Sequence, residues 1–264
     1  MAHENMYDRV RERIARLTPF MASPAGVFGY LVRAKFDKTA AGRGTYKNMP
    51  FSFLPPDMSA IWEVLGEKEY SFLSPLLAGT ERPVILDVGA HIGLFGLWAL
   101  GENARAHLLS VEASPSTFRT LQANVAGSGK NASWSAVNAA GWSDNSSVSF
   151  AAVGDSMGHK VSDTGGDRVQ GMTLERMADA LLESAGAERI TVLKIDIEGS
   201  EEAFLTAGEH VLPKIDSVVI ELHPRLCDTD KVRGILARHY RTIAACADES
   251  ARKPLLFCSD RASA

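Results

Sequence analysis

A chain of 264 residues, 45% hydrophobic and 23% charged, suffices for one large domain with an appendage around an ordinary packed core. Its net charge of −4 is uneven: residues 1–57 carry nine Lys/Arg against five Asp/Glu, leaving −8 on the rest, which argues against nucleic acid as substrate. No run of about 18 apolar residues offers a membrane span, no apolar signal core opens the sequence, and Cys227, Cys246 and Cys258 lack C-x-x-C spacing, so a reduced, cytoplasmic protein without disulfides or zinc is expected.

The first predicted element is a helix over 6–17, with Met6, Val10, Ile14 and Leu17 on one face and Arg9, Arg13 and Arg16 largely elsewhere. It suits packing on the body or on a second subunit, which makes this region the expected route to a homo-oligomer. Residues 18–58 are rich in Pro, Gly and aromatics and read as an irregular cap ended by Pro55-Pro56. Helices over 59–66 and 69–77 lead to a first strand at 83–88. Beyond it, strands are predicted near 106–112, 133–139, 190–196, 217–222, 240–246 and 254–258. Helices are predicted near 92–100, 115–125, 173–184, 200–209 and 229–238. This alternation implies a mostly parallel sheet of seven strands with helices on both faces. A small hairpin is expected over 143–150, followed by a glycine-rich loop over 151–171. The expected division is an N-terminal helical and cap region, 1–80, and an α/β domain, 81–264.

The stretch Pro83-Val-Ile-Leu-Asp-Val-Gly-Ala-His-Ile-Gly93 reads as a buried strand entering a tight ligand loop. Asp87 is a carboxylate inside an apolar run, so it needs a partner or caps the following helix. Gly89 and Gly93 let the backbone turn and approach a ligand closely. The dinucleotide fingerprint G-x-G-x-x-G is absent, since His91 stands where its second glycine belongs. Glu112 ends the second strand, where an acid can accept both hydroxyl protons of a cofactor ribose or cap the next helix. In Lys194-Ile-Asp-Ile-Glu-Gly-Ser-Glu201, Asp196 and Glu198 share one side of an extended chain. Glu198 either faces the pocket or braces the turn. Glu221 and His223 end the fifth strand in the same way, so all four groups are expected to converge at the C-terminal edge of the sheet. Such a cluster supplies a general base, or alternatively holds a magnesium-like divalent cation.

Four blocks, ILDVGAHIGLFG (85–96), VEASPSTFRTLQANV (111–125), LKIDIEGSEEAFL (193–205) and VVIELHP (218–224), together resemble the S-adenosylmethionine-dependent methyltransferases of the FkbM type. The departure is His91, where the family usually has asparagine; both tolerate a left-handed backbone. The resemblance implies a Rossmann-like class I methyltransferase fold with S-adenosylmethionine as cofactor. Asp87, Gly89, Ala90, His91, Gly93 and Asp196 would then lie at the cofactor, Glu112 at its ribose, and Asn138 and Ala139 at the adenine. His223, Asp196, Glu221 and Glu198 become the catalytic candidates.

The activity so implied is methylation of a hydroxyl on a small-molecule acceptor such as a sugar, a polyketide or another natural product. A nitrogen acceptor, a catalytically silent cofactor-binding partner protein and a nicotinamide-dependent oxidoreductase are the competing readings; the missing glycine fingerprint counts against the last. Residues 18–58 and the loop bearing Met157, His159 and Lys160 are expected to cover the acceptor.

Overall fold

The computed structural model describes residues 6–152, 159–161, 167–246 and 253–259. Helices α1 (Met6–Leu17) and α2 (Pro24–Phe36) precede a hairpin of β1 (Gly42–Tyr46) and β2 (Met49–Phe53). Helix α3 (Met58–Ile61) runs into a π turn at Trp62–Gly66, and α4 (Ser74–Gly79) leads to the main sheet.

That sheet contains β3 (Val84–Val88), β4 (His107–Glu112), β5 (Trp134–Asn138), β10 (Val192–Ile195), β11 (Ser217–Glu221), β12 (Thr242–Ala245) and β13 (Leu255–Ser259), in the spatial order β12-β13-β11-β10-β3-β4-β5. Strands β11, β10, β3, β4 and β5 run parallel, and β13 is antiparallel to both of its neighbours. The expected seven strands are therefore present, and the sheet is mostly parallel. Helices α5 (Leu94–Glu102), α6 (Pro115–Gly127), α7 (Leu174–Ala185), α8 (Glu201–Gly208) and α9 (Thr229–His239) fill the connections.

Alternate residues of each strand feed two cores, as the pleat requires. Ile85, Leu108 and Val192 join α5, α6 and the N-terminal elements on one face. Leu86, Leu109 and Leu193 join α7, α8 and α9 on the other. The first core runs without a break across the boundary expected at residue 80, since Tyr30, Phe53 and Leu65 share it with Ile85 and Trp98.

Residues 18–58 are not the irregular cap their composition suggests. Phe20, Tyr30, Tyr46, Phe51 and Phe53 are buried in the first core. Lys47 and Asn48, both at positive φ (44° and 68°), close a tight hairpin turn. A Cβ on Gly42 would come within 2.4 Å of the Phe53 ring, and one on Gly44 within 2.4 Å of the Phe51 ring. These glycines are strand residues covered by cross-strand rings, which disguised the strand in the sequence. Asn124 of α6 ties the hairpin to the body: its Oδ1 accepts from the Ser52 N–H, and its Nδ2 donates to the carbonyls of Ser52 and Ile92.

The hairpin expected over 143–150 is also corrected. β7 (Ser147–Ala152) pairs with β8 (His159–Val161) and β9 (Asp167–Met172) in a second sheet ordered β6-β9-β7-β8, where β6 is Ala140–Gly141. His159 and Lys160 thus fall on a strand of the presumed loop; Met157 lies outside the described residues.

Candidate active site

The chain leaves β3 for β4 and β5 on one side, then returns to place β10 on the other. The crevice at this switch point is where open α/β sheets bind ligands. Gly89, at φ 80°, sits against the end of β10 so closely that an added Cβ would overlap the Asp196 carbonyl oxygen. The Gly89 and Ala90 N–H groups both donate to the Val111 carbonyl, which pins the loop to β4.

Beneath the loop runs a polar line across three strands. Asp87 pairs in register with Lys194 of β10 and Ser110 of β4. Lys194 Nζ lies 3.4 Å from Asp87 Oδ1 and 3.8 Å from Asp196 Oδ2, and donates to the Gly89 carbonyl at 2.7 Å. Ser110 Oγ donates to Asp87 Oδ2, and Trp134 Nε1 donates to Ser110 Oγ. Asp87 is fully buried. A cation for it stands within the chain, at Lys194. Burial raises the Asp87 carboxyl against the lowering effect of Lys194. Gly93 likewise faces inward, towards Leu121 and Trp134.

At the end of β4, Glu112 accepts from two backbone N–H groups, His91 at 2.9 Å and Ser114 at 2.8 Å. Burial is the main influence on its carboxyl and raises it. His91 adopts the left-handed backbone expected of it, φ 51°. Its Nε2 lies 3.1 Å from Asp57 Oδ1, and Asp57 Oδ2 accepts from the Leu54 N–H. Burial opposes a charge on His91, but Asp57 outweighs it and holds the imidazole above its ordinary range. Asn138 Nδ2 donates to the carbonyls of Glu112 and Ala113, and the Ala139 N–H also donates to Glu112. Both residues brace the Glu112 turn with the groups named. A cavity lined by Leu54, Asp57, Ile92 and Thr117 lies against α6, with none of the acids of β10 and β11 in its wall.

Those acids do converge. His223 Nδ1 lies 2.7 Å from Glu201 Oε1, while Nε2 lies 3.1 Å from Glu198 Oε2, 3.4 Å from Glu221 Oε1 and 3.9 Å from Asp196 Oδ1. Burial works against a charge on this ring, but the interactions with Glu198, Glu201 and Glu221 prevail and push it up to about 12. The carboxylates around the ring thus favour its charged form. Lys253 Nζ reaches Glu198 Oε1 at 2.9 Å and Glu221 Oε1 at 3.1 Å. Burial tends to raise Glu198 and Glu221, but His223 and Lys253 hold both below the usual range. Asp196 goes the other way. Burial, with Glu221 and Glu198 adding to it against Lys194 and His223, pushes it up to about 6. Its Oδ1 is buried without a hydrogen-bond donor.

Three contributors escaped the sequence reading. Glu201, fully buried, orients His223 from the first turn of α8. Lys194 was signalled only as a lysine inside an apolar strand. The third is the stretch after the π turn: burial, with Glu221 and Glu63, pushes Glu69 up to about 7, and Tyr70 packs edge-on against Phe95 at 4.9 Å. Burial raises the Tyr70 hydroxyl too, with Glu69, Asp196 and Glu221 adding to it. Glu69 and Tyr70 thus lie within electrostatic reach of the acids of β10 and β11.

The family model for the methyltransferase FkbM domain matches residues 87–242, more than half the chain, from Asp87 past His223. The chain belongs to the FkbM methyltransferase family. It is an S-adenosylmethionine-dependent methyltransferase, and that cofactor is its methyl donor. Among curated proteins it is 26% identical to the hexuronic acid methyltransferase AglP of Haloferax volcanii, over 81% of each chain. Among solved structures it is similar to the METTL16 MTase domain (11% identity, TM-score 0.46, 73% of this chain and 67% of that one). It is also similar to the precorrin-6y C5,15-methyltransferase of Geobacter metallireducens (11% identity, TM-score 0.43, 74% and 87%). No described helix of this FkbM methyltransferase is long and apolar enough to cross a membrane.

Proposed function

We propose that this FkbM methyltransferase methylates a hydroxyl of a sugar or similar polyhydroxylated small molecule, with Asp196 as general base. The observation that carries this reading is the Asp196 carboxylate: it stands at the switch point, pushed up to about 6, with a buried oxygen that no donor satisfies. An alcohol is a poor nucleophile near neutral pH, and a base of this strength can take its proton as the new bond forms. The acidic body and the name of the curated relative agree with a small polyol acceptor rather than nucleic acid.

When bound, S-adenosylmethionine would supply an electrophilic methyl on a sulfonium, with the neutral thioether as leaving group and Asp196 as the acceptor for the hydroxyl proton. Glu112 is the residue for the ribose hydroxyls, because two backbone donors already fix its acceptor-only carboxylate. The backbone of Gly89, Ala90 and His91, beside Asp196, borders the methionine end, while Asn138 and Ala139 brace the adenine side. The acids exceed the cations at this centre, which suits a cationic donor. His223 keeps its proton and positions the carboxylates; Glu198 and Glu221 hold it there. Asp196, Glu221 and His223 offer ligand atoms within 4.8 Å of one another, the grouping a divalent cation would use. Here His223 and Lys253 already supply positive charge, so we read the centre as ion-paired.

The test is product analysis with methyl-labelled cofactor and a panel of uronic acids, glycosides and amines. Label on an acceptor oxygen supports the reading; label on nitrogen, or none on any hydroxyl compound, sinks it. Turnover should survive EDTA, and its loss with recovery on magnesium would reassign the cluster to a metal. Glu112→Ala should weaken S-adenosylhomocysteine binding by about 1.5–3 kcal/mol, as lost hydrogen bonds to a charged group do. Calorimetric affinity equal to wild type would remove Glu112 from the ribose.

A further inference from the structure

Helix α2 (PAGVFGYLVRAKF) is apolar around most of its circumference, yet the body covers one side only. Val27, Tyr30 and Ala34 are buried. Phe28, Val32 and Phe36, spaced four residues apart and thus along one side, are 53%, 44% and 82% exposed. Among the described residues, the exposed large apolar side chains are these three and Leu226. Scattered singly they would need no explanation, but three on one helix face form a patch. A Cβ on Gly29, on the same outward side, would meet nothing within 4 Å. A helix apolar all round expects cover all round.

The charges say what kind of cover. α2 contains no acidic residue, and its exposed cations are Arg33 and Lys35. At about 100° per residue they project to opposite flanks of the Phe28–Val32–Phe36 stripe. Lys35 Nζ lies over the Phe36 ring, 5.7 Å from its centre, so a cation sits directly at the edge of the patch. The excess positive charge of residues 1–57 places the helix in the basic part of an otherwise acidic chain.

We propose that α2 docks this face onto an anionic lipid surface, with Phe28, Val32 and Phe36 in the headgroup boundary and Arg33 and Lys35 on lipid phosphates. Apolar residues facing outward between cationic flanks are the pattern of a helix lying in a bilayer interface. A second copy fits less well. A two-fold contact sets the same patch against itself, and here it would bring the cationic flanks together. One helix face about 20 Å by 10 Å also offers roughly 200 Å², well short of the ~800 Å² a side that a stable interface buries. The surface is independent of the acceptor proposed above.

The test uses the full chain in co-sedimentation with phosphatidylcholine vesicles, with and without phosphatidylglycerol. The protein should partition onto the anionic vesicles and be released by salt. Phe28→Ser/Phe36→Ser should weaken partitioning about tenfold or more through lost apolar burial. Arg33→Glu/Lys35→Glu should weaken it at least about 25-fold, about fivefold for each cation removed. Both variants should bind S-adenosylhomocysteine as wild type does, which shows that fold and cofactor site are intact. No partitioning onto anionic vesicles, equal partitioning onto neutral ones, or variants that bind lipid like wild type would each overturn the proposal. So would a wild-type dimer, seen by light scattering, that the Phe28→Ser/Phe36→Ser variant splits into monomers.

Discussion

Asp196→Asn is expected to lower turnover by about 10²-fold or more while leaving S-adenosylhomocysteine affinity nearly unchanged. The size is that of a lost general base, and the split follows because Glu112, the residue proposed for the ribose, belongs to another strand. The pH profile carries the sharper test. With Asp196 at about 6, turnover should fall tenfold per unit below that value and level off above it. His223 stays charged across the same range, so it adds no limb of its own there. Removing neighbours should move the Asp196 limb in opposite directions. His223 lowers the Asp196 carboxyl, so His223→Ala should shift the limb to higher pH; Glu221 raises it, so Glu221→Gln should shift it lower. A merely structural cluster would lose activity in these variants without moving the limb. Near-normal turnover in Asp196→Asn would show that positioning alone drives the transfer.

The second large effect is on stability. Lys194→Met should destabilise the fold by about 3–5 kcal/mol, because it leaves the buried Asp87 carboxylate without its cation. For a chain of this size that corresponds to a melting temperature lower by roughly 6–20 °C. The pH dependence fixes the cause. Without Lys194, the folded Asp87 pKa lies further above its unfolded value, so the folded state binds the extra proton. Stability of the variant should therefore fall as pH rises through the window between those two values and recover towards acid. Adding Asp87→Asn to Lys194→Met should restore part of the loss, since an amide leaves no charge to compensate. If the double variant were no more stable than Lys194→Met alone, the penalty would belong to the lost Gly89 carbonyl contact and not to the ion pair.

Much of this arrangement is legible in the sequence, and the parts that are not share a cause. Strands β3, β4, β10 and β11 announce themselves as short apolar runs that end in a carboxylate and a turn. That pattern is local, so it placed Asp87, Glu112, Asp196 and Glu221 at one edge. The partner of each acid is set by strand register and burial, which no local pattern encodes. Asp87 demanded a cation, but that Lys194 stands opposite it depends on β10 lying beside β3 in one register. That Glu198, Glu201 and Glu221 surround the His223 ring likewise depends on how β10, β11 and α8 come together. The β1–β2 hairpin was hidden for a different reason: Gly42 and Gly44 have poor strand propensity, and the rings of Phe53 and Phe51 that cover them come from the partner strand. The Asp57–His91 contact likewise joins segments whose sequences carry no sign of one another.

The Asn124 carboxamide grips Ser52 and Ile92 together, and this sets a delay during synthesis. On the ribosome, α1, α2 and the hairpin emerge first, but the surfaces that cover them, α5, α6 and Trp134, are translated later. At roughly 5–20 residues per second the gap lasts several seconds. Through that interval Tyr30, Phe51 and Phe53 can cluster only among themselves, and the outward rings of α2 stay bare on the same nascent segment. A chaperone that holds emerging apolar segments would meet a target here before any part of the crevice has been made.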